Sequence, residues 1–387
     1  MDYEKLLSPT VQSLKPSGIR KFFDIANTMQ GVISLGVGEP DFPTPWEIRK
    51  AGIRSLENGK TRYTANRGLE LLCREVSAYT DRKYGFSYDP ATEVMITVGG
   101  SEGIDAAIRA LVCAGDEVII PQPSYVCYEP LVRLAGGIPV ILETTAQFDF
   151  KVTPEMLRSV LSPKTKLLIL PYPCNPTGAI MECDDLEAIA TVLCGTNVVV
   201  LSDEIYAELT FGEKNHASIA AIPDMKERTV VVNGFSKTFS MTGWRLGYAC
   251  APAPIMRQMV KIHQFAIMCA PTTSQYAAVE ALRNGDEAVA RMKEEYDMRR
   301  RLIVKGFNDL GLSCREPRGA FYAFPCIQST GMTSDEFCEK LLYAEKVAVV
   351  PGTAFGQGGE GYIRASYCYS TEHISEALRR IEHFLKG

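Results

Sequence analysis

The sequence carries no marked excess of either charge: 41 lysines and arginines stand against 46 aspartates and glutamates, a net charge of −5 over 387 residues. Nucleic acids and anionic membranes are recognised through clustered basic residues, so neither is indicated as a partner. No stretch of about 18 apolar residues occurs, which is the length a membrane-spanning helix needs. The start, Met1-Asp2-Tyr3-Glu4-Lys5, lacks the basic and apolar regions of a secretory signal, and a cytoplasmic location is the expectation. Histidine is scarce, and His216, His263, His373 and His383 show no metal-ligand spacing. The twelve cysteines are scattered from Cys73 to Cys368 without a C-x-x-C pair, which argues against a disulfide framework and for reduced thiols, mostly packed as small apolar groups. Internal repeats, low-complexity segments, a long linker, a Walker phosphate loop and a hydrolase triad are also missing.

What is present is a series of short apolar runs with helical patterns between them. They are Val94–Val98, Val118–Ile120, Ile138–Leu142, Leu167–Leu170, Val198–Leu201, Val230–Val232 and Leu246–Cys250. Continuous rather than alternating apolarity is expected of strands covered by helices on both faces. The sequence therefore predicts an α/β fold with a mostly parallel seven-stranded sheet. Ser101 looks like the start of a helix whose apolar-periodic stretch is followed by Gly115. After about residue 280 the texture changes to a highly charged helix, Arg291 to Arg301, and shorter strand-like pieces around Ala320–Phe324 and Tyr362–Ala365, which reads as a smaller α+β domain. The predicted division is an N-terminal arm with part of the small domain in 1–45, a large domain in 46–280 and a small C-terminal domain in 281–387.

In open α/β sheets, ligands sit beyond the carboxyl ends of the strands. Four polar clusters fall at such ends. Val98-Gly99-Gly100-Ser101-Glu102-Gly103 ends a strand and opens a helix, a place where backbone N–H groups face an anion, although a plain tight turn has the same look. Tyr172-Pro173-Cys174-Asn175-Pro176-Thr177-Gly178 is a rigid loop that could be only a turn. Ser202-Asp203-Glu204-Ile205-Tyr206 follows an apolar strand, so Asp203 is expected to be buried and to need a cationic partner, unless it caps the next helix. Lys237 lies in a Ser/Gly-rich turn eight residues before Arg245, an amine for a carbonyl and a guanidinium for a phosphate. Most lysines are solvated surface charges, but four such clusters are hard to explain as independent accidents.

With these residues in view, the chain resembles the class I and II aminotransferases, the fold-type-I family of pyridoxal phosphate enzymes, in its aspartate and aromatic aminotransferase-like branch. The likeness runs from Ser17-Gly18-Ile19-Arg20 and Leu35-Gly36-Val37-Gly38-Glu39-Pro40-Asp41-Phe42 to Arg364, with Asn175-Pro176-Thr177-Gly178, Ser202 to Tyr206 and Ser236-Lys237 to Gly243-Trp244-Arg245 in order between. The resemblance implies that Lys237 forms the internal Schiff base and then acts as the base at the substrate α-carbon. It implies that Asp203 pairs with the pyridine nitrogen, that Asn175 and Tyr206 hydrogen-bond the phenolic oxygen, and that Tyr125 stacks on the ring. The phosphate falls to backbone N–H groups around Gly100, Ser101 and Glu102 and to Arg245, with Tyr63 reaching over from a second subunit. Where relatives carry a hydroxyl three residues before the lysine, this chain has Gly234, and Ser236 is the expected substitute. Arg364 matches the arginine that grips the substrate α-carboxylate, helped by Gly38 and Asn175. No metal is implied, and the homodimer is the implied active unit.

The implied reaction moves an amino group between an L-amino acid, aspartate or aromatic or broad in range, and a 2-oxo acid such as 2-oxoglutarate. A dicarboxylate wants a second cation, for which Arg20 is a candidate, because Ser101 stands where some aspartate-using members place a lysine. The alternative on the same scaffold is carbon–sulfur β-lysis, which shares Lys237, Asp203 and Arg245. A cofactor-binding transcription regulator would need a DNA-binding domain for which residues 1–45 are too short and too little basic. Gly356-Gln357-Gly358-Gly359-Glu360-Gly361 formally matches a dinucleotide-binding motif, but no βαβ unit fits around it.

Overall fold

The seven apolar runs each become one strand of a single sheet in the computed structural model, which describes residues 1, 3–16, 18, 29–213 and 215–387. In chain order the strands are β1 (Ile33–Ser34), β2 (Val94–Thr97), β3 (Glu117–Gln122), β4 (Ile138–Glu143), β5 (Thr165–Leu170), β6 (Val199–Asp203), β7 (Thr229–Gly234), β8 (Gly247–Cys250), β9 (Tyr322–Ala323), β10 (Val347–Ala348), β11 (Val350–Pro351) and β12 (Ile363–Ser366). The large sheet has the order β2-β8-β7-β6-β5-β3-β4. Its five strands from β3 to β7 pair in parallel, and only β8 runs against its neighbours.

Both faces of this sheet are covered, which is why its strands read as unbroken apolar runs. On β5, Leu168 and Leu170 enter one core cluster while Leu167 and Ile169 enter another, and all four are buried. The helix Gly100–Leu111 packs on the second of these faces through Ile104, Ala107 and Ile108, residues spaced to share one side of a helix. It starts at Gly100, one residue before Ser101, and ends at Leu111, well short of Gly115.

The reversal of β8 decides where the site forms. Its first residue, Gly247, lies opposite both Thr97 at the end of β2 and Gly234 at the end of β7. The segment entering β8, with Arg245, is thereby brought to the edge where the parallel strands end. Two smaller sheets, β1 with β10 and β11-β12-β9, are built from chain before residue 35 and after residue 320. The charged helix is longer than the sequence suggests, Asp286–Asp309, and it buries Val289, Met292, Tyr296, Ile303 and Phe307. Its Arg299 is also buried and holds both oxygens of Asp41, at 2.8 and 2.9 Å.

The Gly356–Gly361 run forms a short turn, Gln357–Gly359, and leads into β12 rather than into a helix, so no dinucleotide unit surrounds it. Six of the twelve cysteines are buried and three are exposed, so the packing role extends to only half of them. Among the described residues no helix is long and apolar enough to cross a membrane. Arg20, with Ser17 and Ile19, lies outside the described residues.

Candidate active site

The turn after β2 is built to expose backbone. Thr97 donates its hydroxyl to the carbonyl of Gly99 at 2.8 Å, and Gly99 takes a left-handed φ of 79° that a side chain would strain. Gly247 packs directly behind it: a Cβ there would stand 2.7 Å from the Gly99 carbonyl carbon and 2.8 Å from the Gly100 nitrogen. The turn is thus pressed between β8 and the cavity, at the start of helix Gly100–Leu111, whose first N–H groups have no partner within the helix. Arg245, itself left-handed at φ 52°, anchors its guanidinium on the carbonyl of Thr242 at 2.9 Å. Its Nη2 lies 2.9 Å from where a Gly99 side chain would begin, so the guanidinium covers the turn. A helix N-terminus and an arginine converging on one spot form an anion site.

Asp203 ends β6 and is buried, accepting from the Tyr128 hydroxyl at 2.7 Å and from the backbone N–H of Ile205. Burial pushes its carboxyl up to about 6 against the pull of those two hydrogen bonds. The cation expected beside it is not supplied by the described residues, and its partner is a tyrosine. Glu204, the next residue, faces the other way into Ser202, Ser218 and His216.

Lys237 sits in the short helix Phe235–Thr238 that follows β7. Its amine donates to the carbonyl of Gly38 at 2.6 Å, and burial lowers its pKa to about 8. Arg364, on β12, is buried with its guanidinium between the rings of Tyr322 and Phe355, 4.4 and 4.8 Å from their centres. It donates to Asn175 Oδ1 at 2.9 Å and to the carbonyl of Gly36, while its buried Nε has no partner among the described residues. Since Asn175 accepts from Arg364 through its oxygen, its amide nitrogen is left to donate into the cavity. Tyr206 meets the Tyr322 hydroxyl at 2.8 Å.

These groups line one cavity of about 550 Å³. Of the residues singled out in the sequence, Gly38, Gly100, Ser101, Tyr125, Asn175, Asp203, Tyr206, Ser236, Lys237, Arg245 and Arg364 border it. Ser236 is buried there, whereas a side chain at Gly234 would be squeezed to 3.0 Å from Ile205 and 3.1 Å from Gly247. Glu102 and Tyr63 are not among the residues that border it: the Glu102 side chain, of which only the backbone N–H was expected at the phosphate, turns to His263, and Tyr63, expected to act from a second subunit, is 82% exposed.

Tyr128, Tyr322 and Thr242 also line the cavity, with no role there expected from the sequence. Tyr128 had a signal, since it follows Tyr125 by three residues and a buried aspartate needs a donor. Tyr322 had none, because its segment reads simply as an apolar strand.

Comparison with known proteins bears on this site. The sequence matches the family described as aminotransferase class I and II over residues 30–381. It is 44% identical over 382 residues to the aspartate aminotransferase of Pyrococcus abyssi, and 43% identical over 382 residues to the aromatic-amino-acid aminotransferase 2 of Thermococcus litoralis, covering 98% of each chain in both cases. Its fold superposes with a TM-score of 0.93 on the aspartate aminotransferase of Thermus thermophilus with maleate, at 37% identity and covering 97% of this chain and 99% of that one.

Proposed function

The chain belongs to the class I and II aminotransferases, and on that footing we propose that it binds pyridoxal phosphate and moves an amino group between aspartate or an aromatic L-amino acid and a 2-oxo acid such as 2-oxoglutarate. The observation that carries the proposal is a charge mismatch inside one cavity. Asp203 is buried without a cation, and Lys237, Arg245 and Arg364 make no ion pair among the described residues. Asp203 and Arg364 are buried, Lys237 is half-buried and Arg245 is exposed at the mouth; unpaired charges are costly where they are buried, so a cavity that keeps them is shaped for a ligand of opposite pattern. Pyridoxal phosphate has that pattern, with an aldehyde and a phosphate arm on neighbouring ring carbons and a protonated ring nitrogen across the ring from the aldehyde.

In this reading Gly100 and Ser101 through their N–H groups, Ser236 and Arg245 hold the phosphate, and Asp203 faces the ring nitrogen. Tyr206 and the amide of Asn175 donate to the phenolic oxygen, and Tyr125 covers the ring. When bound, the group supplies a sink for the electron pair left at the substrate α-carbon. Arg364 takes the α-carboxylate, with the Gly38 backbone beside it, and its sandwich between Tyr322 and Phe355 fixes the guanidinium plane. Lys237, its amine partly neutral near physiological pH, moves the proton to and from the α-carbon. The two relatives are named as transferases, and carbon–sulfur lysis is not favoured.

Substrate choice turns on a count of cations. Phosphate, aldehyde and α-carboxylate use Arg245, Lys237 and Arg364, and no fourth cation lines the cavity among the described residues. A dicarboxylate donor therefore needs one from elsewhere, such as Arg20 or a second subunit. Exposed Trp46, Leu56, Tyr63, Phe265 and Met268 give the apolar surface on which we place that subunit, a homodimer in which Tyr63 reaches the partner's phosphate. The division that goes with this reading is an N-terminal arm with part of the small domain in 1–45, a large cofactor-binding domain in 46–280 and a small C-terminal domain in 281–387.

Absorbance spectra of the purified protein, taken with single amino acids, test the function. The expected result is a visible band that disappears on adding aspartate or an aromatic amino acid, with one oxo acid released per site. No band with added pyridoxal phosphate, or ammonia and pyruvate released catalytically from a sulfur amino acid, overturns it. Arg364→Lys is expected to raise the KM for both amino and oxo acids about a hundredfold with a smaller change in kcat, because an ammonium cannot form the paired contact. Unchanged steady-state kinetics would place the carboxylate elsewhere.

A further inference from the structure

The Glu102 side chain makes its contacts behind the anion-binding turn rather than in front of it. One carboxylate oxygen accepts from the backbone N–H of Val98, the residue between β2 and Gly99, and the other meets Nδ1 of His263. Glu102 is the third residue of helix Gly100–Leu111, so its bond to Val98 straps the first helical turn to the strand end before it. The strap spans Gly99, Gly100 and Ser101, three consecutive residues that line the cavity.

His263 is fully buried near the end of helix Ala253–Ala266, and its Nε2 has no hydrogen-bond partner among the described residues. A buried nitrogen left in this way is unfavourable for stability. A leucine would fill such a site without that cost, so the bond from Nδ1 to Glu102 is what the histidine adds. That bond fixes the carboxylate, and the carboxylate fixes the turn.

We propose that Glu102 and His263 are positioning residues for the phosphate, acting through the Gly99–Ser101 backbone without touching the ligand. The proposal rests on the reading that this turn holds the phosphate of pyridoxal phosphate. It separates two ligands, since pyridoxal lacks the phosphate and has no use for the strap.

Binding of pyridoxal phosphate and of pyridoxal to the full chain is measured for the wild type, His263→Leu and His263→Asn, with inorganic phosphate as competitor. His263→Leu is expected to weaken pyridoxal phosphate on the order of tenfold, the usual effect of losing a hydrogen bond to a charged group, and to leave pyridoxal unchanged. His263→Asn, whose amide can donate to Glu102 in place of Nδ1, is expected to restore most of the loss. Should His263→Leu fail to fold, Glu102→Ala reads the same ratio of the two affinities. Equal losses for both ligands, or no loss for either, overturn the proposal. A wild type that binds both ligands alike instead overturns the phosphate site itself.

Discussion

Lys237→Ala is expected to lose turnover by about 10⁴-fold or more, because one side chain performs two tasks that no other described residue lining the cavity can take over. The first is covalent capture of an aldehyde, which needs a neutral amine. An ordinary lysine near pKa 10.4 is neutral about once in 2500 molecules at pH 7, whereas burial brings Lys237 to about 8 and the neutral share to about one in ten. The sign follows directly: the rate of capture by the cofactor-free protein rises with pH up to about 8 and levels off above it. The second task is proton transfer, for which the amine must lie beside the reacting carbon. Its bond to the Gly38 carbonyl, next to the proposed carboxylate site, places it there. Added methylamine should restore part of the activity to the alanine variant and none to the wild type. Wild-type turnover in the variant would sink the assignment.

The sheet was legible because its faces are both covered. Each strand had to be apolar along its whole length, as in Leu167–Leu170, and such runs are conspicuous. The candidate site was legible for a related reason: Asp203, Asn175 and Lys237 stand at the ends of those runs, where polar residues interrupt apolar ones. Arg364 was harder to read, since nothing local distinguishes it from a surface cation, and only the likeness to a family pointed to it. Three features were not legible. The reversal of β8, which carries Arg245 to the turn at Gly99, depends on strand order and leaves no local mark. The Tyr322 sandwich joins residues 42 apart in sequence and is set by packing of the smaller sheets. The direction of Glu102 is a rotamer choice made by His263, from a helix about 160 residues later.

Asp203→Asn is expected to cut turnover about a hundred- to a thousandfold while making the cofactor-free protein more stable. Asparagine is nearly the same shape, and the Tyr128 hydroxyl, now donating at 2.7 Å, can rotate to accept from its amide. Only the charge is lost. In the unfolded chain the carboxyl gives up its proton near pH 3.9, but in the folded chain burial holds the proton to about pH 6. Between those values the unfolded chain is ionised first, so the folded state loses stability as pH rises from about 4 to about 6, by about 3 kcal/mol in all. Above pH 6 that penalty is constant, and asparagine removes it. At pH 7.5 the cofactor-free variant should therefore melt about 3 °C above the cofactor-free wild type. Bound pyridoxal phosphate should reverse the order, because a cationic ring nitrogen compensates the carboxylate of the wild type and finds no charge in the variant. A variant with full turnover, or one whose melting temperature falls equally with and without cofactor, would mean that the Asp203 charge serves the fold and not the ligand.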